Sequence, residues 1–158
     1  VWIGQNSQEA KDRFWSAVYS VAREKYSLDA GNVVDKYTKF CQDAMSAKKI
    51  SDFTRRGNTV YCLSLKELPH DIEKYMGKWG YFYEFETDDL SALADVVTKK
   101  FQTLTYFGIE REKLIEFVIE NRLLGIDRIV PVGQGLEMDV IWDGIDVIRS
   151  MTRIIDIS

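Results

Sequence analysis

The sequence predicts a soluble α/β domain in which a mainly parallel sheet is flanked by helices, with one hairpin and one terminal strand added. Three observations carry this expectation. The second half alternates strand, helix, strand, helix, strand, the pattern of parallel strands joined by right-handed crossovers. In the first half, Arg56-Gly57-Asn58 separates two runs rich in β-branched and aromatic residues, the pattern of a hairpin. The composition, 46% hydrophobic and 13% aromatic with two prolines, supplies core material and contains no low-complexity tract. A chain of 158 residues buries roughly 70% of the surface its unfolded form exposes, so residues 1–158 are expected to fold as one domain.

The elements follow in order. Val1-Trp2-Ile3 is an apolar, strand-like opening with no methionine and no polar lead-in, as if the chain began inside a fold. Asn6 with Glu9 three residues later resembles a capping box. Ala10, Phe14, Val18 and Val21 then recur at helical spacing, which predicts a helix over about 7–27. A second helix is expected to bury Val34, Tyr37, Cys41, Ala44 and Met45, to turn Lys36, Lys39 and Asp43 elsewhere, and to end near Lys49. The hairpin spans Ile50 to Leu65, with Thr59, Tyr61, Leu63 and Leu65 alternating with Val60, Cys62 and Ser64.

After the aromatic run Tyr81 to Phe85, Thr87 is expected to cap a helix whose apolar stripe is Leu90, Leu93, Ala94, Val97 and Phe101. A strand from Gln102 to Phe107, a helix carrying Leu114, Ile115, Val118 and Ile119 that stops at Gly125, and a strand from Arg128 to Val132 follow. Ligands of such folds sit beyond the carboxyl ends of the strands, which singles out the loops after Phe107 and Val132. An amphipathic turn from Asp146 to Ser150 leads into a terminal strand, Arg153 to Ile157. Its edge needs a partner, which a second subunit would supply in a homo-oligomer.

Charge and composition exclude several function classes. The 21 basic and 25 acidic residues are interspersed, so no basic face suits nucleic acid or an anionic membrane. No apolar run approaches the roughly 20 residues of a membrane span, and no secretory leader opens the chain, so a cytoplasmic location is expected. His70 is the only histidine, in the turn-like Leu68-Pro69-His70-Asp71, so two-histidine metal sites are excluded and no metal is expected. Cys41 lies on a helix stripe and Cys62 within a strand, away from any helix start that would stabilise a thiolate, so both are read as structural and reduced.

Gly133-Gln134-Gly135 follows a strand like the opening of a phosphate-binding turn, but the third glycine is missing. Glu84 with Glu86, and Asp88 with Asp89, are expected on a solvated strand face and in a helix's first turn. No complete catalytic set is visible. In Ile141-Trp142-Asp143-Gly144 the glycine permits a tight turn, the aspartate can fix backbone amides and the tryptophan can wall an apolar channel; a plain capped turn is the other reading.

The run Gly125-Ile126-Asp127-Arg128-Ile129-Val130-Pro131-Val132-Gly133, then Ile141-Trp142-Asp143-Gly144 and Ile148-Arg149-Ser150, resembles the carboxy terminus of bacterial LuxC-like acyl-CoA reductases, members of the aldehyde dehydrogenase superfamily. Phe101-Gln102-Thr103-Leu104-Thr105 looks like a further signature of that family. The resemblance covers most of residues 80–158 and thins to pattern level before them. It implies part of an aldehyde dehydrogenase-like catalytic domain and reduction of fatty acyl-CoA to fatty aldehyde by NADPH through a cysteine thioester.

By that likeness the nucleophile falls upstream of Val1, as does the dinucleotide-binding region. This chain would then carry no catalytic residue, NADPH would be held mainly by the upstream region, and the piece would be inactive alone. The implied substrate-binding positions are Gln102, Thr103, Gly133, Trp142, Asp143 and Gly144, with Trp142-Asp143-Gly144 near the substrate tunnel. Where many aldehyde dehydrogenases carry a ribose-binding glutamate, this chain has Trp79-Gly80-Tyr81-Phe82. The implied partners are the acyl-CoA substrate, the chain's own upstream region and a second copy through the terminal strand. The rival reading is a stand-alone binding or assembly module with the same fold and no catalysis; an independent hydrolase using His70 lacks a nucleophile set.

Overall fold

A computed structural model describes residues 1–4, 8–45 and 49–157, leaving the expected capping residue Asn6 outside the described set. The chain divides into two units, Val1–Ala92 and Leu93–Ser158. In the first, the expected hairpin forms from β2 (Ile50–Arg56) and β3 (Val60–Leu65), antiparallel, with Gly57 at φ 58° in the turn. The strand β4 (Tyr81–Glu84) adds to the far side of β3 in parallel, so β3 is the centre of a three-stranded sheet. Val60 through Leu63 are all buried, the burial pattern of a strand covered on both faces. Phe40 stacks on Phe53 at 4.2 Å, and Tyr61 meets both rings edge-on.

The opening run forms β1 (Trp2–Ile3), which pairs in parallel with β5 (Glu86–Thr87). The first helix, α1 (Gln8–Lys25), packs Phe14 and Trp15 against Trp2 at ring distances of 5.4 and 6.5 Å. Its expected stripe ends early, since Val21 is 53% exposed.

The second helix, α2 (Ala30–Met45), forms where expected but turns its other face inward. Lys36 and Asp43 are buried, whereas Val34, Tyr37 and Met45 are 62%, 53% and 88% exposed. Polar demand explains the inversion. The Lys36 ammonium donates to the carbonyls of Thr59 (3.0 Å), Trp79 (2.8 Å) and Asn58, and lies 4.6 Å from the Tyr61 ring centroid. Gly80, at φ 79°, passes so close to Thr59 that a Cβ would lie 2.1 Å from its carbonyl oxygen. Asp43 accepts from the Tyr81 and Tyr83 hydroxyls (2.6 and 2.5 Å) and from Lys39 (2.6 Å). Burial, then the Arg55 charge, brings Lys36 down to about 8, which leaves it mainly a cation at neutral pH. Burial, then the bond to Asp43, pushes Tyr83 up to about 12 and raises Tyr81 as well, so both hydroxyls keep the protons they donate.

Thr87 belongs to β5 and caps no helix. The one-turn α3 (Ser91–Ala94) instead has the Asp89 carboxylate accepting from the Ser91 N–H and hydroxyl, both at 2.9 Å. The helix stops before Val96-Val97-Thr98, three β-branched residues that disfavour its continuation. Beyond it, β6 (Thr103–Tyr106) pairs in parallel with β7 (Arg128–Pro131), joined by α4 (Arg111–Glu120). That helix buries Leu114 and Phe117 but leaves Ile119 68% exposed. A short hairpin, β8 (Ile141–Trp142) with β9 (Ile145–Asp146), precedes α5 (Val147–Met151), whose first turn Asp146 caps by accepting from the Arg149 N–H at 2.9 Å.

The class is therefore mixed α/β, but the single mainly parallel sheet does not form. Among the described residues four small sheets replace it, three of them containing a parallel pair or consisting of one, and β4 pairs with β3 rather than with β6. The expected terminal strand is absent too: Thr152 to Ile157 has no regular structure, and Ile154, Ile155 and Ile157 are 72–90% exposed. A strand exists through its ladder, and among the described residues none runs beside this segment. No described helix is long and apolar enough to cross a membrane.

Lys36→Ala orphans three carbonyl acceptors in the first unit and is expected to cost about 3 kcal/mol in urea unfolding, against less than about 0.5 kcal/mol for Val34→Ser on the outward face. Equal costs would mean that the helix buries its apolar stripe instead.

Candidate functional site

In the second unit, the motifs that carried the family resemblance meet at the amino end of the parallel β6–β7 pair, not beyond the carboxyl ends where ligands of such folds were expected. The carbonyl of Gln102, just before β6, accepts the backbone N–H groups of Asp127 and Arg128 (2.9 and 3.1 Å), which fixes the start of β7 beside it. The Gln102 side-chain amide reaches on to Asp143 Oδ2 at 3.2 Å. Asp143 and Gly144 have φ of 49° and 76°, the two successive positive values of a type I′ turn, whose twist suits the β8–β9 hairpin. Gly144 is favoured by its backbone, and space there is tight: a Cβ would lie 3.1 Å from Asp127 Oδ1.

Arg128 joins the remaining parts. Its guanidinium donates to the carbonyls of Gly135 (2.9 Å), Gln134 (3.5 Å) and Glu137, and lies 4.8 Å from the Trp142 ring centroid. Trp142, half-buried, borders an open groove of about 520 Å³ whose other walls are Met138, Asp139, Val140, Val147 and Ile148. That surface is mainly apolar. Its single charge is a carboxylate, so it offers no site for a phosphate.

Of the six residues singled out from sequence, Gln102, Trp142, Asp143 and Gly144 are brought together. Thr103 enters through the backbone, paired in register with Arg128. Gly133, at φ 98°, sits in the loop with nothing within 4 Å of where a Cβ would be, and is not drawn against the others. Asp127 and Arg128, read in the sequence only as part of a matching run, are the residues that tie the parts together. The available signal was their position, two charges opening the apolar strand Ile129-Val130.

The carbonyls of Gln134, Gly135 and Glu137 point at Arg128, the opposite polarity from a phosphate cradle built of N–H groups. Trp79 and Gly80 are engaged by Lys36 and Thr59, with no carboxylate among them. Neither segment fits a dinucleotide, so no step involving NADPH is assigned to residues of this chain. Glu84 is not on a solvated face: half-buried, it accepts from the indoles of Trp2 and Trp15 (2.7 and 3.0 Å) and from the Ser64 hydroxyl (2.9 Å). Lone indole donors need acceptors when buried, and the carboxylate supplies them. Cys62 is a free, buried thiol pushed up to about 12, by burial first and then by Glu84, so it is no nucleophile at neutral pH; Cys41 is free and half-buried. His70 is exposed in its turn. No protein-family model, curated protein or solved structure matches the chain.

Gly144→Ala is expected to destabilise the β8–β9 hairpin by about 1–3 kcal/mol, seen as faster amide exchange at Ile145 and Val147, while Asp143→Asn, also suited to a positive φ, keeps wild-type exchange. In thiol labelling at pH 7.5, Cys41 should react in the folded chain and Cys62 only after denaturant is added. Simultaneous labelling of both would show that β3 is not the closed core strand described.

Proposed function

We propose that this chain is the carboxy-terminal portion of an acyl-CoA reductase, contributing a wall of the acyl tunnel, while the complete enzyme reduces fatty acyl-CoA to fatty aldehyde with NADPH through a cysteine thioester. The observation that carries the reading is the convergence of the Gln102, Asp127-Arg128 and Trp142-Asp143-Gly144 segments beside an apolar groove. Residues separated by 41 positions in sequence serve one locus, which is what a functional signature spread along a chain requires.

On this reading the chain binds and orients but does not react. The apolar groove receives the alkyl part of the substrate, Trp142 closes one side, and the Gln102–Asp143 bond keeps the turn in place. The nucleophile and the cofactor site lie on residues upstream. This agrees with the chemistry of Cys62, whose buried thiol cannot supply a thiolate.

The second reading, an assembly module without catalysis, is favoured by the outward apolar face of α2 and the exposed isoleucines at 154, 155 and 157. One comparison separates the two. Aldehyde formation from a long-chain acyl-CoA with NADPH is expected only from a chain extended upstream through the cysteine, and is lost when that cysteine becomes serine. Activity in the 158-residue chain itself overturns the proposal, and silence in both chains favours the assembly module.

A further inference from the structure

We infer that Arg128 is a positioning residue, whose guanidinium plane holds the Trp142 ring and the loop from Gln134 to Glu137 in one arrangement and so sets the shape of the groove. Its part in substrate binding rests on the acyl-CoA reductase reading. Its hold on Trp142 rests on geometry alone.

The side chain is anchored where the structure is most regular. Arg128 opens β7, in register with Thr103 of β6, and its own N–H bonds to the Gln102 carbonyl. From that base the guanidinium reaches an irregular stretch whose carbonyls at Gln134, Gly135 and Glu137 it gathers with two nitrogens, Nη1 and Nη2. Donors in the guanidinium plane leave its flat face free, and the Trp142 ring lies 4.8 Å away. The hairpin bearing Trp142 is thus held at two points, through the ring by Arg128 and through the turn by the bond between Gln102 and Asp143. Both holds originate at the same end of β6 and β7, so the strand pair sets the position of the tryptophan relative to Met138 and Val140, which line the same groove.

Lysine cannot substitute in this role. Its ammonium keeps the charge but is a point donor on a flexible stem, unable to gather three carbonyls while lying over a ring. A purely electrostatic role would be rescued by Arg128→Lys; a positioning role would not.

The test uses the 158-residue chain with Arg128→Lys and Arg128→Gln, each also made in a Trp142→Phe background, so that the difference spectrum isolates Trp142 from Trp2, Trp15 and Trp79. Acrylamide quenching of the Trp142 component should rise about 3-fold in both variants as the ring loses its cover, while the other three indoles keep wild-type quenching and report an intact first unit. Where Arg128→Gln unfolds the second unit, Arg128→Lys carries the measurement. In the upstream-extended chain, KM for a long-chain acyl-CoA should rise about 10-fold with kcat within about 2-fold, the signature of lost uniform binding. Unchanged Trp142 quenching, or wild-type quenching restored by lysine, overturns the inference. Raised quenching with an unchanged KM upholds the positioning of Trp142 and overturns the groove as a substrate surface, so the two ideas fail separately.

Discussion

A buried ammonium and the carbonyls it serves organise the first unit. Lys36 draws together the hairpin end at Asn58 and Thr59 and the approach to β4 at Trp79, three main-chain acceptors that no strand ladder claims. Because a buried acceptor without a donor is costly, the helix that carries Lys36 must present this face to the sheet. The orientation of α2 follows, and with it the burial of Asp43 among Tyr81, Tyr83 and Lys39. The aromatic core of Phe40, Phe53 and Tyr61 then forms beneath that polar frame.

The second unit uses the same device in miniature. Arg128 is its fork of donors, and the segment it gathers, like the one Lys36 gathers, lies between elements rather than within them. The cations differ in a way that suits their surroundings. A compact ammonium fills a pocket of converging carbonyls, whereas a planar guanidinium spans a loop and still covers an indole. Little else packs this unit: Val96, Leu114 and Phe117 are its only buried large apolar side chains among the described residues, while most of its isoleucines are open to solvent. Of that exposed apolar surface, Met138, Val140, Val147 and Ile148 line the groove beside Trp142, which under the proposed acyl-CoA reductase reading would receive the alkyl chain.

The outward side of α2 deserves the same physical reading as its inward side. Val34, Tyr37 and Met45 form the stripe that periodicity selects, and they are exposed because the opposite face answers a stronger demand. Hydrophobic burial is non-directional and roughly proportional to area, whereas an orphaned carbonyl has a fixed place and must be met there. When the two conflict on one helix, the directional requirement sets the rotation.

What the sequence by itself determined was local. The hairpin at Arg56-Gly57-Asn58, the first two helices at their approximate places, the β6–α4–β7 unit and a last turn from Asp146 to Ser150 were legible, because each depends on periodicity or turn chemistry within a few residues, whereas the helix expected after Thr87 shrank to one turn. The candidate site was half legible: Gln102, Trp142, Asp143 and Gly144 stood out by motif, while Arg128 and Asp127 did not, since their partners lie in other segments. Only the tertiary structure decided which face of α2 turns inward, that β4 joins β3 rather than β6, that Glu84 serves two indoles, and that the terminal isoleucines find no ladder. Those outcomes depend on where carbonyls, indole N–H groups and strand edges come to lie in space, and a hydrogen bond between residues dozens of positions apart leaves no periodic trace in the chain that makes it.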